Sequence, residues 1–243
     1  MCGVIGVILA DPDAPAAVDV LEALWSLQHR GQSSCGIATT DDASSPNVRR
    51  LVGKGLASEV FDEPDACLTQ LTGHMGIGHL RYPTAGPEVN SAYQPLTSEC
   101  SWPIAFAHNG NLVNTPAIIK HLRTTGCDGP LDGSDSQVFL ETLARGSTRS
   151  HGDTASTFDL EITLLNTLKD VYDLCEGSFA CAATIPGIGL LAFRDAYGLK
   201  PMVYGRRLNH DRQWDYMCAS ESVVLDKLGY RDITDVLPGR PNA

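Results

Sequence analysis

The chain has 243 residues and a mass of 26.0 kDa; 43% hydrophobic and 19% charged residues suit one large folded domain or two small ones. Its 18 basic and 29 acidic residues give a formal charge of −11, and no cluster of basic residues could track phosphates, so nucleic acid is not an expected partner. No apolar run reaches 18 residues, and the first Lys or Arg is Arg30, so neither a membrane span nor a secretion signal is expected and the chain reads as cytoplasmic.

The apolar start through Ala10 reads as a buried strand. Asp13-Ala14-Pro15 opens a helix with Val18, Leu21, Leu24 and Trp25 at helical spacing, and Gly31 stops it. Strands are expected at Cys35 to Thr39, Met75 to His79, Ile104 to His108, Phe179 to Thr184, Gly189 to Phe193, Met202 to Tyr204 and Tyr216 to Ala219. Thr115-Pro116 caps a further helix, and Ser134-Asp135-Ser136-Gln137 is a capping-box pattern for a helix closed by Gly146. Another helix runs from about Asp159 to Leu174, with Leu164, Leu165, Leu168, Val171 and Tyr172 on one face. Residues 41–47 and 146–156 read as polar surface loops. Strands and helices cluster without strictly alternating, which predicts antiparallel sheets with helices outside them, an α+β layered sandwich.

Cys2 carries the first chemical signal. Removal of Met1 leaves a thiol and a free α-amine on one residue, and an amine with a pKa of about 7.7 to 8.0 can take the proton of a thiol of pKa about 8.5. A cysteine behind the initiator is also a common accident. The other cysteines form no C-x-x-C pair; several lie among apolar residues as small buried hydrophobes, so neither a disulfide framework nor a metal is expected.

Arg81, between an expected strand and a Pro/Gly turn, could clamp a carboxylate with two parallel hydrogen bonds while Thr84 adds a hydroxyl; a surface arginine at a strand end is the plainer reading. Asn109-Gly110 reads either as a simple turn or as an oxyanion hole made of the Asn109 side-chain amide and the Gly110 backbone N–H. Asp135 suits the positive end of a helix, and the same place could bind an ammonium. A free α-amino acid needs both ends recognised, so Arg81 and Asp135 form a chemically complete pair.

Taken in order, Met1-Cys2-Gly3, Leu27 to Gln32, Gly78 to Gly86, His108 to Asn114 and Ser134-Asp135-Ser136 resemble the class II glutamine amidotransferase domain, an N-terminal-nucleophile hydrolase. Within that group, Leu27 to Gln32, Arg81 to Gly86, Arg194 to Pro201 and Ala219 to Ser222 are most similar to the amidophosphoribosyltransferases, over nearly the whole chain. The resemblance implies a four-layer αββα sandwich, with two antiparallel sheets and outer helices. It implies Cys2 as nucleophile with its α-amine as base, Asn109 and Gly110 as oxyanion hole, and Arg81, Thr84 and Asp135 as the L-glutamine site, with no cofactor and no metal in this domain. Residues 2–239 are then the glutaminase domain and 240–243 the start of a linker to a phosphoribosyltransferase domain, supplied in cis or in trans, in a family expected to form homo-oligomers. Ser33-Ser34-Cys35 and the residues Ala196, Tyr197, Leu199, Lys200 and Met202 depart from the family's usual strings. Two other readings stand beside this one: an inactive domain that serves as an interaction or regulatory partner, and a different class II amidotransferase.

Overall fold

Alternation along the first strand, β1 (Gly3–Ile8), sets the layering. Ile5 and Val7 point into a core shared with helices, while Val4 points the other way, into a core between two sheets. The computed structural model describes residues 1–41, 47–82, 93–98, 103–127, 131, 134–148 and 157–239, the side chains of 146–148 and 157–161 aside.

The larger sheet has seven strands in the order β11-β9-β10-β1-β4-β2-β3. Besides β1 these are β2 (Ser34–Thr40), β3 (Arg49–Lys54), β4 (Met75–Arg81), β9 (Val203–Leu208), β10 (Trp214–Ala219) and β11 (Arg231–Asp235). The smaller sheet runs β5 (Leu96–Ser98), β6 (Ile104–Leu112), β7 (Gly177–Ile185), β8 (Gly189–Arg194). Every strand pair is antiparallel.

On the outer face of the larger sheet lie α1 (Ala16–Ser26), α2 (Ala57–Val60), α3 (Pro64–Gln70) and α7 (Ser222–Lys227), burying Val20, Leu24, Phe61 and Leu225 against Ile5, Val7 and Ile37. On the outer face of the smaller sheet lie α4 (Thr115–Thr124), α5 (Asp135–Thr148) and α6 (Thr157–Leu174), burying Ile118, Phe139, Leu143 and Val171 against Phe106, Phe179 and Phe193. The layers are thus α, β, β, α, as the sequence resemblance implies. The seam between the sheets is made of small residues, Ala38, Ala105, Ala107, Ala180 and Ala182, with Val4, Ile77, Met202 and Cys218. Small side chains on both inner faces let the two backbones approach closely, which matters at the end of the seam where β1 begins.

Several expectations shift. In α1, Val18 and Trp25 are exposed, and Ala16, Ala17, Val20, Leu21, Ala23 and Leu24 are buried. The reason is close packing: a Cβ on Gly76 or Gly78 of β4 would lie 3.1 or 2.7 Å from Val20, so the helix faces that strand with its smaller residues. In α6, Leu165 is 65% exposed, off the buried face on which periodicity placed it. Helix α4 takes Asn114 as its N-cap, not Thr115. Helix α5 runs past Gly146 to Thr148; residues 42–46 and 149–156 of the expected polar loops lie outside the described residues. Strands β3, β5 and β11 and helices α2, α3 and α7 were not expected; they are short, or only half-buried with charged ends as in β3, or mostly exposed and polar as in β11, so their pattern is weak. No helix among the described residues is long and apolar enough to cross a membrane.

Candidate active site

The register of the larger sheet brings two of the expected residues together. Gly3 pairs with Leu80 across β1 and β4, so one residue further along the same register Cys2 faces Arg81. Arg81 in turn pairs with Ser34 of β2. Val4 and Ile77 face the seam, and alternation carries Cys2 and Arg81 to that same face. Cys2 and Arg81 are both partly exposed, at the mouth of the seam.

The smaller sheet supplies the opposite wall. On β6, Ala105 and Ala107 face the seam, so Asn109 does too; it is 3% exposed. A hydrogen bond across the seam fixes the two sheets here: His79 Nε2 of β4 donates to the His108 carbonyl of β6 over 3.2 Å. Gly110 is required by close approach, since a Cβ there would lie 2.1 Å from the Ser178 carbonyl oxygen and 2.6 Å from His108 Nε2. At the start of α5, the Ser134 hydroxyl accepts the Gln137 N–H at 3.1 Å, the first half of the expected capping box. This places Asp135, whose carboxylate accepts the N–H of Ser136 at 2.8 Å and that of Leu112, at the end of β6, at 3.2 Å. Cys2, Arg81, Asn109, Gly110 and Asp135 therefore sit on elements that meet at one end of the seam, while Thr84 lies outside the described residues.

Two residues to which the sequence reading gave no role hold the first residue after Met1. Arg30 lies in the short 3-10 turn Gln28–Arg30 after α1, and its Nε donates to the Cys2 carbonyl at 2.9 Å. Its Nη1 donates to Glu221 Oε1 at 2.6 Å. Gly31 packs on the backbone of Arg81, where a Cβ would come within 2.6 Å, and the Gln28 side-chain amide donates to the Gly31 carbonyl at 2.6 Å. The Leu27 to Gln32 string is thus a brace for both Cys2 and Arg81.

Several buried polar groups on these elements lack a partner among the described residues. Arg81 Nη1 and Asn109 Nδ2 are buried and find no hydrogen-bond partner among the described residues, and neither does the Ser34 hydroxyl. A buried unpaired donor costs about 1–3 kcal/mol unless a water or a ligand completes it. A guanidinium answers a carboxylate, and an amide N–H answers an oxyanion.

A family model described as a glutamine amidotransferase domain matches residues 79–227. The chain belongs to the glutamine amidotransferase domain family. It is 40% identical to the amidophosphoribosyltransferase of Schizosaccharomyces pombe and 37% identical to that of Saccharomyces cerevisiae, each over 98% of this chain but 43% and 45% of the relative. A solved structure described as the allosteric regulatory enzyme of purine biosynthesis superposes with a TM-score of 0.75 at 30% identity, over 98% of this chain and 46% of that one. The chain therefore spans less than half the length of these relatives.

Within this glutamine amidotransferase domain the remaining polar core supports the β6 wall. The Gln94 side-chain carbonyl accepts the His108 N–H at 2.6 Å, and its amide donates to the Ser136 hydroxyl, which also shares a hydrogen bond with His108 Nδ1 at 2.9 Å. Burial and the neighbouring His108 push His79 down to about 3, and burial likewise lowers His108, so both rings are neutral. Burial pushes the thiols of Cys35, Cys175 and Cys218 up to about 12 and raises that of Cys181 well above its ordinary value. These are packed, protonated sulfurs. No group of three His, Cys, Asp or Glu among the described residues is arranged to hold a metal ion.

Proposed function

We propose that this chain hydrolyses L-glutamine and is the glutaminase half of an amidophosphoribosyltransferase. The carrying observation is the convergence of unpaired buried donors on Arg81 and Asn109 at the end of the seam where Cys2 stands. Arg81 takes the substrate α-carboxylate and Asp135 its ammonium, with Thr84 adding a hydroxyl donor; this orients the side-chain amide toward Cys2.

After Met1 is removed, the free α-amine accepts the thiol proton and Cys2 Sγ adds to the amide carbon. The carbonyl oxygen becomes an oxyanion held by Asn109 Nδ2 and the Gly110 N–H. Collapse breaks the C–N bond, the ammonium returns its proton to the leaving nitrogen, and ammonia departs from a γ-glutamyl thioester. Water, deprotonated by the same amine, then attacks the thioester, giving glutamate and the free thiol.

Residues 2–239 form the glutaminase domain under this reading, and 240–243 begin the connection to a phosphoribosyltransferase domain in cis or in trans. There the ammonia would replace the pyrophosphate of phosphoribosyl pyrophosphate in the first step of purine synthesis, a glycosyl transfer carried out in the cytoplasm by a homo-oligomer. The similarity to amidophosphoribosyltransferases supports this reading over other class II amidotransferases.

The test is ammonia release from glutamine by the purified chain. The parent protein is expected to release ammonia, and Cys2→Ala to lower the rate by at least about 10³-fold. Activity of Cys2→Ala within tenfold of the parent would place the nucleophile elsewhere. A folded parent that releases none would favour the non-enzymatic partner reading.

A further inference from the structure

A nucleophile that is the first residue of its chain has a mechanical problem. Once Met1 is gone, one peptide bond tethers Cys2, and its amine has to remain free to move protons. The carbonyl oxygen is the one backbone polar atom left by which it can be gripped. Rotation about the Cα–C bond of Cys2 swings the amine and the thiol together, so a grip on the carbonyl oxygen fixes the peptide plane and the axis about which both reacting groups turn.

Arg30 Nε holds it, at 2.9 Å, from a side chain that is 6% exposed. A guanidinium is a fixed planar fork, so its far side decides the aim of its near side. On the far side stands Glu221, with Oε1 at 2.6 Å from Arg30 Nη1 and both carboxylate oxygens 3.1 Å from His29 Nε2. Burial opposes ionisation of Glu221, but the hydrogen bonds and charges of Arg30 and His29 outweigh it and hold the carboxyl below its usual range. The next residue back reinforces the grip. Ser220, 1% exposed, accepts the Val4 N–H on its hydroxyl and donates its own N–H to the Val4 carbonyl, both at 3.0 Å. Ser220 and Glu221 therefore pin β1 two residues from Cys2 and, through Arg30, Cys2 itself.

Building on the glutamine reading above, we propose that Glu221 is a positioning residue for amide cleavage: its carboxylate aims the Arg30 guanidinium that fixes the Cys2 carbonyl, and so anchors the pivot from which the α-amine and the thiol both approach the substrate amide. Glutamine is bound by other groups, so loss of this aim falls on the chemical step and leaves substrate binding alone.

The experiment compares the parent chain with Glu221→Gln, which keeps shape and removes charge, and Glu221→Asp, which keeps charge and shortens the arm. Two readouts are taken on protein lacking Met1 and folded by circular dichroism: kcat and KM for glutamine, and the rate of Cys2 alkylation by iodoacetamide across pH 5–9, mapped by mass spectrometry. We expect Glu221→Gln to lower kcat by about 10- to 100-fold with KM within twofold, and to displace the alkylation profile; Glu221→Asp should recover part of both. Parent-like kcat and a parent-like alkylation profile in Glu221→Gln would overturn the proposal. Alkylation uses no glutamine, so it tests the grip on Cys2 even if the parent proves unable to release ammonia, an outcome that counts against the glutamine reading alone.

Discussion

Two histidines beneath the candidate site set how the fold responds to acid. His79 is held neutral, its pKa pushed down to about 3 mainly by burial, against about 6.5 in an unfolded chain. Above pH 6.5 both states are neutral and the residue has no effect on stability. As pH falls below 6.5 the unfolded chain binds a proton that the folded chain refuses, so stability drops by about 1.4 kcal/mol per pH unit for that proton until about pH 3. Urea unfolding of the parent should therefore weaken between pH 6.5 and 4.5, and His79→Gln, which keeps a donor for the His108 carbonyl, should show a slope smaller by about one proton. An unchanged slope in the variant would mean that His79 titrates alike in both states. At this scale the residue types singled out five positions, Cys2, Arg81, Asn109, Gly110 and Asp135, that lie on elements meeting at one end of the seam. The sequence was not legible at Arg30 and Glu221. Their part comes from a contact across 191 residues of chain, and a charged residue shows no sign in sequence of which oxygen it will meet.

Among elements, the seam between the sheets governs how closely the two walls of the site approach. Ala182 is fully buried there, and a Cβ on Gly6 of the facing sheet would lie 3.4 Å from its own Cβ. Ala182→Leu should overfill this space, costing about 1–3 kcal/mol and prising β6 and β7 from β1. The measurable outcome is a lower unfolding midpoint in urea; an unchanged midpoint would show the seam to be loosely packed. The long strands and helices were readable because their apolar periodicity is strong, as in β6, β7 and α5. Elements such as β3, with Arg49 and Arg50 in a strand at the sheet's edge, were not, because an edge strand needs little apolar surface to hold its hydrogen bonds. Leu165 shows the limit of periodicity from the other side: an apolar residue at helical spacing is still exposed where the helix meets no neighbour among the described residues.

For the molecule as a whole, two sheets with helices outside enclose one seam, and the first strand of the larger sheet starts at the end of it where β4 and β6 also meet. A nucleophile whose base is its own amine can only work if the chain begins at the site, and β1 sits in the middle of the larger sheet with its first residue at that end of the seam. The layered class and its antiparallel sheets followed from clustered strands and helices, but the meeting of β1, β4 and β6 at one end became visible only through the register. The most direct measurement is intact-mass and peptide analysis of the chain after exposure to a diazoketone analogue of glutamine, with molecules that keep Met1 separated from those that have lost it. The account predicts a single adduct, on Cys2, in molecules without Met1 and in those alone. Equal labelling of molecules that keep Met1, or an adduct on another cysteine, would contradict it.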